Sequence, residues 1–311
     1  MAKRTTRLVA AIMVVTAGAL VAACDLRTGT DPAPTTTAQA DLSAPVVAIK
    51  IDNVPAARPQ TGLGLADVVY VEPVEGGLTR LVAIFAADLP DEAGPVRSAR
   101  RTDLDLLAQY GKPVLAYSGA APDLLPELRS ANLVNASPDD AAAAYHRSPD
   151  RPAPHNLYVR PAQLPDGAIG PAQPPLLFGA APEGGVPTTS HDVAFSAAGF
   201  TFTWSAPDGR WRIAMNGAPA TSTESGPLTA ATVVVQRVVV TAGETGEDAG
   251  GTASPVAQTV GSGQSDVLRD GRLFAGTWSR PAPDAPTRYQ TDSGADLPLA
   301  SGPVWVLLLP A

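Results

Sequence analysis

Pro45-Val46-Val47-Ala48-Ile49-Lys50-Ile51-Asp52-Asn53 is the first stretch of the chain that reads as folded structure. It is apolar and rich in β-branched residues, which suits a buried strand, and it ends in the turn-forming pair Asp52-Asn53. Similar runs recur at Ala66–Glu72, Leu78–Ala86 and Pro113–Ser118. Between them, Leu104, Leu107 and Ala108 fall on one side of a helix predicted over Ser98–Tyr110, with Gly111 as its stop. Further helices are expected after Pro122 and after Pro138, the latter with Ser137 as N-cap. These elements predict a mixed α/β domain over residues 45–178.

Residues 179–190 are mostly Ala, Pro, Gly and Thr and read as a linker. Beyond it the runs are short, β-branched and aromatic: Asp192–Ser196, Phe200–Ser205, Arg210–Asn216, Thr232–Thr241, Pro255–Val260, Val267–Trp278 and Val304–Leu309. Asp208-Gly209 and Asp270-Gly271 separate strand-like segments and supply the positive φ that tight hairpins need. Residues 191–311 therefore read as a mostly antiparallel β domain, and the whole as α+β. Gly243–Ser254 reads as a loose loop.

Upstream, Lys3, Arg4 and Arg7 precede an apolar run from Leu8 to Val21, which ends in Val21-Ala22-Ala23-Cys24. That order of basic, apolar and small residues is the order of an export signal over residues 1–23. The run is shorter than the ~20 residues a membrane-crossing helix needs. Val-Ala-Ala-Cys resembles a bacterial lipobox, and Cys24 is the single cysteine of the 311 residues. Lipidation of Cys24 is the expectation, with residues 24–44 as a Thr/Pro/Ala tether and the outer face of the cytoplasmic membrane as the address. A single cysteine also excludes disulfides within the chain.

Net charge is −8, with three lysines against 19 arginines. An acidic chain is a poor candidate for nucleic acid, whose phosphates call for clustered cations. Several chemistries leave no mark. Val47 and Gln109 stand where a Ser-x-x-Lys motif needs serine before Lys50 and Lys112. No Gly-x-Ser-x-Gly, His-Glu-x-x-His or phosphate-loop motif occurs. His146, His155 and His191 lack metal-ligand spacing, so neither a metal nor a cofactor is expected.

What remains is a polar region from Asp52 to Arg101. Asp52 and Asn53 end the first strand, and Arg58 follows; Glu72 and Glu75 flank the end of the next, and Gly76-Gly77 turns the chain into Leu78-Thr79-Arg80. Carboxylates at strand ends can converge on one sheet edge and act as acid and base, or simply pair with the nearby arginines. In Gly94-Pro95-Val96-Arg97-Ser98-Ala99-Arg100-Arg101, three arginines crowd an expected helix start, where partial positive charge disfavours them. Either a bound anion or nearby acids must offset them. The loop before His155-Asn156 places a candidate general base beside these residues.

Ile49–Gln60, Ala66–Arg80, Gly94–Arg101 and Pro154–Tyr158 resemble the N-terminal domain of the YerB-like bacterial lipoproteins. Val260–Gly263, Asp270–Arg272, Gly276–Trp278 and Gly302–Trp305 resemble that family's C-terminal domain. The resemblance implies two domains behind a lipoprotein signal and supplies no activity. The leading reading is a non-catalytic envelope lipoprotein that binds an anionic ligand or a wall-synthesis protein. Its site would comprise Asp52, Asn53, Arg58, Glu75, Arg80, Arg97, Ser98, Arg100, His155 and Asn156. The alternative is a hydrolase or transferase on a phosphate-bearing or glycan polymer, with Glu72, Glu75 and His155 in acid/base roles.

Overall fold

The computed structural model describes residues 41–247 and 253–311, besides the first two. The predicted signal, Cys24 and most of the tether lie outside the described residues.

The opening run forms β1 (Val47–Asp52). It pairs antiparallel with β3 (Thr79–Phe85), which pairs antiparallel with β2 (Val68–Pro73). On its other side β1 pairs parallel with β4 (Val114–Ala116), and β4 pairs parallel with β5 (Val134–Ala136). Gly76 and Gly77 both take positive φ, 68° and 70°, in the turn that delivers β3. Only glycine adopts that conformation without strain.

Residues from the second half extend the same sheet. They are β6 (Thr232–Val238), β7 (Gly261–Arg269), β8 (Arg272–Arg280), β9 (Arg288–Thr291) and β10 (Val304–Pro310). The ladder runs β9-β8-β7-β6-β10-β2-β3-β1-β4-β5, with the short strand Val186–Pro187 added beside β8. Asp270 and Gly271 sit at φ 51° and 69°, the left-handed pair that closes the two-residue hairpin between β7 and β8. β10 lies between β2 and β6, parallel to both, with Val304 opposite Val68 on one side and Thr232 on the other. Most pairs within the second half are antiparallel, and the β6–β10 ladder is the parallel exception. Val304 to Leu308 are buried without interruption, as a strand covered on both faces must be.

Side-chain alternation splits the core between the two faces. Ile49, Ile51, Val69, Val71, Leu81 and Phe85 face a five-stranded sheet built on Ser190–Ala194, Gly199–Ser205 and Arg210–Met215, whose Phe202, Trp211 and Ile213 complete that layer. Ala48, Val68, Tyr70, Val82 and Ile84 face α1 (Thr102–Ala108) and α2 (Leu125–Ser130), which supply Leu106, Leu107 and Leu128. The main sheet is thus the middle of three layers.

The mixed α/β expectation for residues 45–178 is corrected: that part is not clearly α/β, and the structure as a whole is β-rich, with 43 % strand and 11 % helix. The helix predicted from Ser98 starts at Thr102, because the preceding backbone is already committed elsewhere. Arg97 N–H donates to the Lys50 carbonyl, Ser118 N–H to the Arg97 carbonyl and Ala99 N–H to the Gly119 carbonyl. The helix expected after Pro138 is a single 3-10 turn, Ala142–Ala144.

Trp211 is fully buried between the sheets. Trp211→Ala is expected to lower unfolding free energy by about 3–5 kcal/mol, the range for large aromatic truncations, read as a drop in urea midpoint.

Candidate functional site

β1, β3 and β2 are neighbours, so their even-numbered residues share the helix-facing side. Lys50 lies opposite Val82, and Arg80 lies opposite both Asp52 and Glu72. A patch of charge therefore crosses three strands at the end where β1 and β2 finish. The extended segment Gly94–Ala99 closes over it: Asp52 N–H donates to the Pro95 carbonyl at 2.9 Å, and Val96 N–H to the Leu157 carbonyl at 2.7 Å. Those two bonds bring Arg97 and the His155 loop to the end of β1.

Deepest lies a residue that the sequence reading did not single out. Lys50 is fully buried, with Nζ 2.5 Å from Glu72 Oε2 and 2.8 Å from Asp103 Oδ1. Asp103 Oδ2 accepts the Arg100 backbone N–H at 2.7 Å. Glu72 Oε1 is buried without a hydrogen-bond partner. Burial is the main cause that raises the Glu72 carboxyl to about 8, and the Asp103 charge adds to it against the pull of Lys50.

Nearer the surface, Asp52 is the meeting point of a guanidinium and an imidazole. Its Oδ2 lies 2.8 Å from His155 Nδ1 and 3.1 Å from Arg97 Nε. Arg100 Nη2 donates to Glu75 Oε2 at 2.8 Å, its Nε lies 2.7 Å from Oε1 as an ion pair, and the Ser254 hydroxyl also donates to Glu75 Oε1. Burial opposes ionisation of Glu75, but the Arg100 and Ser254 hydrogen bonds outweigh it and hold the carboxyl at about 2. Arg80 has the poorest company. Among the described residues its one ion-pair contact is Glu75 at 4.0 Å, the Asp52 charge acts on it at longer range, and its Nη1 is buried with no hydrogen-bond partner. Burial, then the Arg100 and Arg97 charges, push it down to about 10.

The structure brings Asp52, Glu75, Arg80, Arg97, Arg100 and His155 together. Glu72 sits behind them against Lys50 and Asp103. Asn53 accepts from Arg58 Nε at 3.2 Å and Gln60 Nε2 at 3.0 Å and donates to Thr79 at 2.9 Å, so Asn53 and Arg58 brace the turn after β1. Asn156 ties its own loop, accepting from Arg147 at 2.7 Å. Ser98 is half-buried. Because α1 begins at Thr102, Arg97 and Arg100 precede its first turn, which holds Asp103 and Asp105 as the helix dipole favours. A lone lysine inside an apolar β-branched run was the signal for Lys50.

Residues 30–170 match the family described as "Protein of unknown function (DUF3048) N-terminal domain", and residues 191–306 match its C-terminal domain. The chain belongs to this family. It is 36 % identical over 115 residues to Putative lipoprotein YerB of Bacillus subtilis (strain 168), a match spanning 36 % of this chain and 34 % of that protein's length. It shares the fold of the crystal structure of the YerB protein from Bacillus subtilis, with a TM-score of 0.73 at 21 % identity over 90 % of this chain and 96 % of that one.

The DUF3048 member described here carries two buried carboxyls displaced in opposite directions, which gives its stability two pH windows. Burial holds the Glu72 carboxyl well above its unfolded value of 4.5, so its contribution is present below 4.5 and is lost as pH rises through the raised folded value. Glu75 contributes above 4.5 and loses its contribution as pH falls toward 2. Glu72→Gln should therefore flatten the decline of unfolding free energy from about pH 5 to 8. Denaturant titrations at several pH values check this slope.

Proposed function

We propose that this protein is a lipid-anchored member of the bacterial envelope, held on the outer face of the cytoplasmic membrane through Cys24. Its Arg80–Arg97–His155 edge binds a phosphate- or carboxylate-bearing envelope ligand and performs no reaction on it. The address rests on the basic-apolar-Cys24 segment and on the relative described as a lipoprotein. The binding role rests on one observation. The Arg80 guanidinium is buried beside two other guanidinium groups, with one nitrogen unpartnered. A bound anion supplies the acceptor that Arg80 lacks and relieves the repulsion among the three.

Two candidate carboxylates argue against hydrolysis. Glu72 is walled in by Lys50 and Asp103, and Glu75 is held ionised by Arg100, so neither is free to carry a proton to a substrate. One contact favours the second reading, a hydrolase or transferase. Asp52 orients His155 through Nδ1, as a carboxylate orients a general-base imidazole.

Inorganic phosphate at about 100 times its dissociation constant should stabilise the full chain by about 2.7 kcal/mol, measured by thermal unfolding. Arg97→Gln should remove that shift with little change in the ligand-free melting point, whereas Arg100→Ala should lower the melting point itself by breaking the Glu75 fork. No stabilisation by phosphate, sulfate or carboxylates would sink the binding reading. Cys24→Ser should move the protein from the membrane fraction to the soluble fraction; retention on the membrane would refute the lipid anchor.

A further inference from the structure

Lys50, Glu72 and Asp103 are each at most 1 % exposed. If all three were ionised, they would leave one surplus negative charge in the core, a state that a dry interior resists strongly. Sharing a proton removes the surplus, and Glu72, whose carboxyl is raised by burial, is its natural holder. In such surroundings the neutral forms, amine and carboxylic acid, gain on the charged ones.

The contacts also divide the roles of a condensation. Lys50 Nζ is a primary amine 2.8 Å from Asp103 Oδ1 and therefore lies against the Asp103 carboxyl group. Oδ2 of that group is polarised by the Arg100 backbone N–H at 2.7 Å, a donor aimed where negative charge would gather during attack. Glu72 touches the amine through Oε2 and has a second oxygen, Oε1, with no other partner. It is the group placed to move a proton. Nucleophile, polarised acyl group and proton carrier thus meet in one buried cluster contributed by β1, α1 and β2.

We propose that Lys50 and Asp103 condense into an intramolecular amide, with Glu72 carrying the proton between them. From the ammonium, the Asp103 carboxylate and the protonated Glu72, the Glu72 proton passes to Asp103 Oδ1 and one ammonium proton replaces it on Glu72, which leaves a neutral amine against a neutral Asp103 carboxyl group. The Nζ lone pair then forms a bond to Asp103 Cγ, a second nitrogen proton reaches the Oδ1 hydroxyl through Glu72, and the Cγ–Oδ1 bond breaks as Oδ1 leaves in one water molecule, with Glu72 protonated as at the start. Oδ2 stays as the amide carbonyl and keeps the Arg100 N–H. No oxidant, metal or cofactor enters the balance. The product removes two charged groups from the core and ties β1 to α1 across 53 positions of a chain whose single cysteine allows no internal disulfide. The anion site is independent of this bond.

Mass spectrometry of the folded full-length chain, denatured and digested with trypsin, decides the matter. The expected product is a branched species, uncleaved at Lys50, that joins its segment to residues 102–129 and is lighter by one water than the sum of the two. Lys50→Met and Asp103→Ala should abolish it; Glu72→Gln, which keeps the shape, should fold and yield the two segments separately. Wild-type protein that is folded and yet gives separate Lys50 and Asp103 segments overturns the proposal. Water lost as a cyclic imide at Asp208-Gly209 or Asp270-Gly271 leaves those segments separate and overturns it equally. A branched species in Glu72→Gln at the wild-type level would overturn the role given to Glu72.

Discussion

As the chain folds, the ammonium group of Lys50 enters the middle of a sheet with no water to turn to, and the arrangement around it follows from that constraint. β1 is a near-continuous apolar strand, and its one lysine points into the helix-facing layer at 0 % exposure. Its charge is met by Glu72 from β2 and Asp103 from α1, so three elements must arrive in one register for any of them to be tolerated. Such clusters add little net stability, yet removing one partner from a buried ion pair typically costs about 3–5 kcal/mol. The cluster therefore acts as a registration device. A one-residue slip of β1 would turn Lys50 toward the aromatic layer under Phe202 and Trp211, where none of its acceptors lies.

Once that register is fixed, the outer site follows from the pleat. Asp52 lies two residues beyond Lys50 on the same face and opposite Arg80, which is itself opposite Glu72. The segment that carries Arg97 is pinned to the end of β1 by backbone hydrogen bonds, and the strand that follows His155 is bonded in turn to that segment. The arginines divide the labour. Arg100 is spent on Glu75, and its backbone N–H on Asp103, so it is part of the frame. Arg97 keeps about a quarter of its side chain exposed and shares a single carboxylate oxygen with His155.

How much of this could be read from sequence depended on whether the cause was local. The Gly76-Gly77 turn and the hairpins at Asp208-Gly209 and Asp270-Gly271 were legible because positive φ is a property of the residues themselves. The strand runs were legible for the same reason. The start of α1 was not: Leu104, Leu107 and Ala108 do lie at helical spacing, but Arg97 to Ala99 had backbone partners in β1 and in residues 118–119. The central place of β10 is set by pairing with residues far away in the chain. Its only local trace was the unbroken apolar run Val304–Leu309, a pattern typical of strands covered on both faces. For the site, the clustering of Asp52, Glu75 and the arginines was legible as composition. Their division into a buried neutralised cluster and a cationic edge required the third dimension.

That division bears on what the edge can bind. Charge along β1 changes character over two residues. At Lys50 every cation has at least one buried acid, and a proton settles the remainder. At Asp52 the balance reverses, because one carboxylate serves Arg97 and His155 and reaches Arg80 at longer range, while the one ion-pair contact of Arg80 among the described residues is Glu75 at 4.0 Å. A protein that had merely to cover this end of the sheet could place an apolar side chain at position 80, since a buried guanidinium with an empty valence is the costlier choice. Keeping arginine there, against the repulsion of two others, is intelligible if the missing acceptor comes from outside the chain. The inner cluster sets the frame for that edge: Lys50 of β1, Glu72 of β2 and Asp103 of α1 meet in one contact set, which fixes the register of the two strands flanking Arg80.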